Sequence, residues 1–282
     1  MLPLNKALTA AALAAGIFAA AAIGAPAMAG SDDDAAARGA TPESQKGYDI
    51  AARSDRSDAG FGDSEVVLKM VLRNAAGAEA ERELTITTLE KANESVGDKS
   101  LVAFQRPRDI RGTGLLSYAK ILEPDDQWLY LPALKRVKRI SSANKSGPFV
   151  GSEFAFEDFT SQELNKFTYN YVGEGSEQGM AVDIVERFPR YENSGYTRQV
   201  AYYDQEVFQI RKVEFYDRKN ALLKTLTLTD YREYAGGVWR AQRLEMVNHQ
   251  TGKETDLVYS DYRFGAGLTE RDFTQARLKR IR

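Results

Sequence analysis

The chain has 282 residues, no cysteine, one histidine and a formal net charge of −2. With 43% hydrophobic and 28% charged residues the composition is that of an ordinary folded protein, and the lack of a basic excess excludes a general nucleic-acid binder. Without cysteine there is no disulfide framework, no thiolate metal centre and no lipid anchor on an N-terminal Cys.

Residues 1–30 read MLPLNKALTAAALAAGIFAAAAIGAPAMAG. One lysine, an Ala-rich apolar centre, Pro26 and the A-x-A exit at Ala27 and Ala29 form the pattern of a secretory signal cleaved after Ala29. The expected organisation is therefore a signal peptide over 1–29, a disordered leader over 30–40 and one domain over 41–282, located in the periplasm. The acidic, small-residue run SDDDAAARGA carries the leader expectation.

Thr41, Pro42 and Glu43 agree on a helix start, and the helix is expected to run to about Ser57. Its apolar stripe of Tyr48, Ile50, Ala51 and Ala52 is thin, which suits a surface helix or a cover over an opening. From Ser64 the period changes to two, the strand signal. EVVLKMVLRN and ERELTITTLE form a hairpin around Gly77, with Leu68, Met70 and Leu72 facing Leu84 and Ile86 and with Lys69, Thr85 and Thr87 on the wet side. LVAFQRP continues the sheet, and Gly112 and Gly114 interrupt the next run as a bend requires.

QWLYLP and KRVKRIS form a further hairpin in which Trp128 and Tyr130 share one face and Leu129 and Leu131 the other. Charge on both faces of KRVKR suits an edge strand. A flexible loop, SSANKSGPFVG, leads to SEFAFEDF, and repeated hairpins then run to residue 264. About ten to twelve strands at this spacing indicate an all-β sandwich or barrel. Thr269 with Asp272, flanked by Leu268 and Phe273, marks a short terminal helix with a basic end.

Catalytic constellations are weak. His249 flanks a turn with no nucleophile elbow to serve, so no Ser-His-Asp site is supported. Asp125 with Asp126 and Glu157 with Asp158 are adjacent pairs that on a strand point to opposite faces, and the reading for them is solvated loop carboxylates. An enzyme is not supported, and no cofactor or metal site is expected.

The runs DDQWLYLPALKRVKRISSANKSGPFVGSEFAFEDF, SGYTRQV, FYDRKNALLKTLT, VNHQTGKETDLVYSDYRF and LTERDFTQARLKR resemble the periplasmic outer-membrane lipoprotein-sorting protein family, a LolA-like branch of the LolA/LolB superfamily. The resemblance covers about residues 47–282. It implies a mainly β fold, a single curved antiparallel sheet forming an incomplete, half-open barrel covered by short helices, whose cavity receives acyl chains. Implied partners are lipoprotein acyl chains or other lipid and an inner-membrane exporter of the RND/MMPL type, with a monomer favoured. The function expected is a periplasmic carrier moving an apolar cargo toward the outer membrane. The alternative is an interaction module that docks on such an exporter without carrying lipid. Each acyl CH₂ withdrawn from water contributes about 0.8 kcal/mol, so a lined groove needs no catalytic group. Trp128, Tyr130, Phe149, Phe154 and Phe156 are the candidate lipid-binding residues at the mouth or lining. Lys135, Arg136, Lys138 and Arg139, with Lys145 close behind, form the candidate patch for a headgroup or a docking partner.

Overall fold

The computed structural model describes residues 32–90, 97–234 and 236–281. The signal peptide expected over 1–29 lies outside them.

Two helices open the described chain, α1 (Asp32–Arg38) and α2 (Pro42–Asp58). The expected disordered leader is thus corrected over α1. Ala37 is fully buried, Gly39 ends the helix at φ +68°, and Arg38 lies over the ring of Tyr48, 4.8 Å from its centroid. For α2 the expected start holds: Ser44 N–H donates to Thr41 Oγ1 at 3.1 Å, and the Ser44 hydroxyl reaches back to the Thr41 backbone. Gly47 lets α2 approach the sheet closely, because a Cβ there would stand 3.0 Å from the backbone nitrogen of Tyr171.

Strands β1 (Asp63–Arg73), β2 (Glu79–Leu89), β3 (Lys99–Arg106), β4 (Gly114–Tyr118), β5 (Asp126–Leu131) and β6 (Arg136–Arg139) form a meander. A second run comprises β7 (Phe167–Glu177), β8 (Met180–Pro189), β9 (Tyr196–Asp204), β10 (Ile210–Asp217) and β11 (Leu222–Thr229). The small pair β12 (Arg232–Tyr234) and β13 (Val238–Arg240) follows, then β14 (Arg243–Asn248), β15 (Lys253–Phe264) and the short helix α3 (Gln275–Leu278). Thirteen of these strands make one antiparallel sheet in the order β6-β5-β4-β3-β2-β1-β15-β14-β11-β10-β9-β8-β7.

The sheet is curved and open, the half-open barrel that the resemblance implies; of the sandwich or barrel suggested by strand spacing alone, no second packed sheet and no closed barrel forms among the described residues. Strands β6 and β7 follow one another in the chain but occupy the two opposite edges and do not pair. Their connection, residues 140–166, therefore has to cross from one edge to the other, and it does so as a strap over the inner face.

Alternation along the strands sorts side chains into two layers. On the inner face Leu68 sits opposite Leu84, as expected, with Met70, Val102, Phe104, Leu115, Met246 and Leu257 in the same buried layer. Ile86 pairs with Val66, and Leu72 packs at the margin. The helix α2 and the strap cover this layer. On the outer face Leu101 and Leu116 pack under Phe273 and Leu278 of the C-terminal segment, whose expected Thr269–Asp272 box and Leu268/Phe273 contacts are formed.

Gly114 makes that outer contact possible. A Cβ there would lie 2.4 Å from Cδ1 of Ile281 and 2.9 Å from Cδ1 of Leu278. Replacing Gly114→Val is expected to cost about 1–3 kcal/mol, the range for overpacking. Urea denaturation measures that loss, and limited proteolysis should show the C-terminal segment released first.

Candidate functional site

The strap is anchored over the inner layer at several points. It folds back on itself, with Phe149 N–H bonded to the Phe154 carbonyl at 2.7 Å and Phe156 N–H to that of Gly147 at 3.1 Å. This pinch turns four rings inward: Phe149 stands 5.6 Å from Phe104, 5.6 Å from Phe156 and 4.3 Å from Phe159, and Phe154 stands 5.8 Å from Phe159. Phe149 and Phe154 are completely or almost completely buried.

Buried ionic groups pin the strap to strands on both sides. Lys224 of β11 donates to Asp158 Oδ2 at 2.7 Å and to the Glu153 carbonyl at 3.0 Å, and Tyr196 OH donates to Asp158 Oδ1 at 2.9 Å. Asn248 donates to Glu153 Oε2 at 2.6 Å, and Glu153 N–H to Thr255 Oγ1 at 3.0 Å. Glu157 accepts from Gly195 N–H, Ser194 Oγ and Tyr191 OH at 2.8, 2.9 and 3.1 Å. At the seam between the sheet edges, Lys166 beside β7 donates to Asp125 Oδ1 beside β5 at 2.8 Å. The solvated reading of these carboxylates is therefore corrected. Glu157 is buried in the strap, Asp158 beside it and Asp125 opposite Lys166 are largely buried, and each is compensated by donors, as charges withdrawn from water must be; Asp126 is partly buried and pairs with Lys120 and Arg139.

Between α2, the end of the strap and the inner face lie two adjoining cavities of about 190 and 250 Å³, which share Asp58, Phe61, Asp98 and Ser161. The larger has an apolar side formed by Val66, Ile86, Val102, Phe159 and Tyr259. Two arginines border the space. Arg187, buried on β8, donates to Gln199 Oε1 at 2.6 Å and lies over Phe167, 5.0 Å from its centroid. Arg240, between the rings of Phe61 and Phe264, forms an ion pair with Asp58 at the end of α2.

The expected lipid-binding residues do not share one lining. Phe149, Phe154 and Phe156 belong to the inner layer, where they fill space. Trp128 and Tyr130 lie on the outer face beneath the C-terminal segment, Trp128 with its ring 5.0 Å from that of Tyr118. The reason is the pleat: Trp128 and Tyr130 are in phase with Val137, whose face is the one that Phe273 and Leu278 cover. Lys135, Arg136, Lys138 and Arg139 are all exposed on β6 or its turn, at the edge expected for them, with Arg139 paired to Asp126. Lys145 is separated from this patch, because it is buried and its ammonium donates to the Asp125 carbonyl.

A solved candidate outer membrane lipoprotein-sorting protein domain from Vibrio parahaemolyticus is 49% identical to this chain, covering 84% of it and 99% of that domain with a TM-score of 0.81. The chain belongs to the outer-membrane lipoprotein-sorting protein family. A family model for a group of uncharacterised proteins matches residues 97–280. A DUF1329 family protein from Desulfovibrio piger matches at 27% identity and TM-score 0.80, over 84% of this chain and 100% of its own. A LolA superfamily protein from Nitrosomonas europaea, at 20% identity, TM-score 0.66 and coverage of 84% and 100%, shares the fold. No curated protein matches the chain.

Two predictions separate the strap's anchors from surface pairs. Lys224→Met leaves Asp158 buried without its cation and should cost about 3–5 kcal/mol, whereas Lys69→Met, from a surface pair, should stay within about 1 kcal/mol; urea titrations of both variants test the contrast. Burial, then the neighbouring negative Asp158, raises the pKa of Glu157 above its ordinary value of 4.5, against the pull of its hydrogen bonds. The folded state thus binds this proton more tightly than the unfolded chain, so the stability contributed by Glu157 is greatest at low pH and falls as pH rises from 4.5 through the raised value. Glu157→Gln should remove that decline from a plot of urea midpoint against pH, and an unchanged slope would rule out the assignment.

Proposed function

We propose that the protein is a periplasmic carrier that takes the acyl or other apolar part of a lipoprotein or lipid and moves it toward the outer membrane. The observation that carries this reading is the space beneath α2, bounded by an apolar inner face and by a helix rather than by a second sheet. Membership of the lipoprotein-sorting family supports it, as does the periplasmic signal expected over residues 1–29.

Each cavity is smaller than the roughly 300 Å³ at which small-molecule sites ordinarily begin. On the carrier reading, loading widens this space by movement of one of the covers, and their attachments differ in kind. The strap is held by buried ion pairs and by inward-facing rings. The helix α2 is held by a small apolar stripe, the Asp58–Arg240 pair, one 2.8 Å bond from Gln209 to Ser57, and peripheral contacts such as Lys46 over the ring of Tyr171. Behind α2, Gly60 and Gly62 have φ of +91° and +70°, and their N–H groups are both held by Glu90 at 2.6 Å. The helix packs on the core through Tyr48, Ile50, Ala51 and Ala52, contacts that are apolar and without direction, and it is clamped at a glycine link; of the two covers α2 is therefore the one that can shift as a body, and it is the moving cover.

Native mass spectrometry of protein gently extracted from its own host should show bound lipid, and the empty protein should take up a fluorescent fatty acid. A homogeneous empty protein with no uptake would sink the carrier reading. Because the chain has no cysteine, Ala51→Cys supplies a single reporter at a buried position of α2. Its thiol should be protected in the empty protein and be alkylated faster when lipid is loaded.

The exposed basic edge strand favours a second reading, docking on an RND/MMPL-type exporter without lipid transport. A photo-cross-linker at Lys138 that captures such a transporter, together with a cavity that takes up no lipid, is the outcome that would replace the carrier by this module.

A further inference from the structure

Strand β2 outruns β3. Their pairing ends at Glu83 opposite Arg106, while β2 continues along β1 to Glu79. The notch left beside the overhang is closed on its other side by the loop after β3, and it has a volume of about 780 Å³. Five cationic side chains line it, Lys69, Arg82, Arg106, Arg108 and Arg111, against two carboxylates, Glu81 and Glu83. Both carboxylates are already engaged, Glu81 with Lys69 at 2.5 Å and Glu83 with Arg106 at 3.6 Å. Arg108 and Arg111 are exposed and make no hydrogen bond or ion pair among the described residues.

Arg82 differs from its neighbours. It is in phase with Leu84, so it points toward the inner layer, where its guanidinium lies 5.9 Å from the centroid of Phe104. It is partly buried, yet among the described residues no carboxylate lies within ion-pair distance of it, and Asp109 acts on it only at longer range. Its one hydrogen bond goes from Nη1 to the carbonyl of Val150 in the strap. Val150 has φ +48°, a left-handed conformation that a β-branched residue adopts only when its surroundings impose it. A partly buried guanidinium without a counter-ion among the described residues and a strained residue held by it thus meet at the rim of a notch with surplus positive charge.

We propose that this notch binds a phosphate-class anion, free or carried as a lipid headgroup, and that the bound anion competes with the Val150 carbonyl for Arg82. The planar forks of Arg82, Arg108 and Arg111 can each offer two parallel N–H donors to phosphate oxygens, which a single carbonyl cannot accept. Withdrawal of Arg82 frees Val150 to leave the left-handed region and loosens the turn that seats Phe149. The notch lies apart from the cavities beneath α2, so it stands or falls independently of acyl-chain binding.

Calorimetric titration of the protein with inorganic phosphate and, separately, with monomeric dihexanoyl phosphatidylglycerol tests the site. At least one should bind, and Arg108→Gln/Arg111→Gln should weaken it by about tenfold or more with an unchanged circular dichroism spectrum. Binding of phosphate identifies a free anion as sufficient, and binding of the lipid alone identifies a headgroup site. Binding of neither, binding indifferent to the double substitution, or equal heat from sodium chloride at matched ionic strength would overturn the proposal. Ser152→Cys, buried in the strap two residues after Val150, reports the coupling. Its alkylation should accelerate several-fold at saturating anion, and an unaltered rate with anion bound would overturn the competition for Arg82.

Discussion

One topological constraint governs this molecule: two strands consecutive in the chain, β6 and β7, stand at opposite edges of a thirteen-stranded sheet. No tight turn can join them, so the chain crosses the inner face. A crossing loop over an apolar surface must satisfy its own polar groups without water. The strap does this with the pairs Asp158–Lys224 and Asp125–Lys166 and with the three donors around Glu157. The sheet edges are thus tied by side chains where a closed barrel would use backbone ladders.

The same crossing decides how the interior is filled. Rings from the strap occupy the side under the pinch, and α2 spans the side where the two adjoining cavities lie. The strap's fastening is largely ionic and withdrawn from water, and that of α2 is mostly apolar packing. On the proposed carrier function the motion needed for loading falls to α2, and the strap, anchored at several points, forms the fixed wall.

Local features were legible in the sequence. The Thr41 cap, the β1–β2 hairpin with Leu68 against Leu84, the basic edge strand and the Thr269–Asp272 box each depend on a few neighbouring residues, whose backbone and side-chain preferences agree. Family membership was legible through long runs of sequence. Charged residues in phase with an apolar face are a further signal in the sequence: Lys224 keeps step with Leu226 and Leu228, and Arg82 with Leu84 and Ile86. Both proved to be inward-facing cations that hold the strap. Composition does not reveal α1, because burial of Ala37 against later elements stabilises it.

By itself the sequence determined element types, their caps and the alternation of each strand, since these follow from contacts within a few residues. Only the tertiary structure decided which of the two alternating faces became the interior. Trp128 and Phe149 belong to one aromatic-rich stretch, yet one packs beneath the C-terminal segment and the other against Phe104. It also decided that Glu157 and Asp158 are anchors withdrawn from water and that Lys145 is severed from the basic edge. Strand order and edge placement set these outcomes, and both arise from pairings between residues far apart in the chain, where local propensity carries no information.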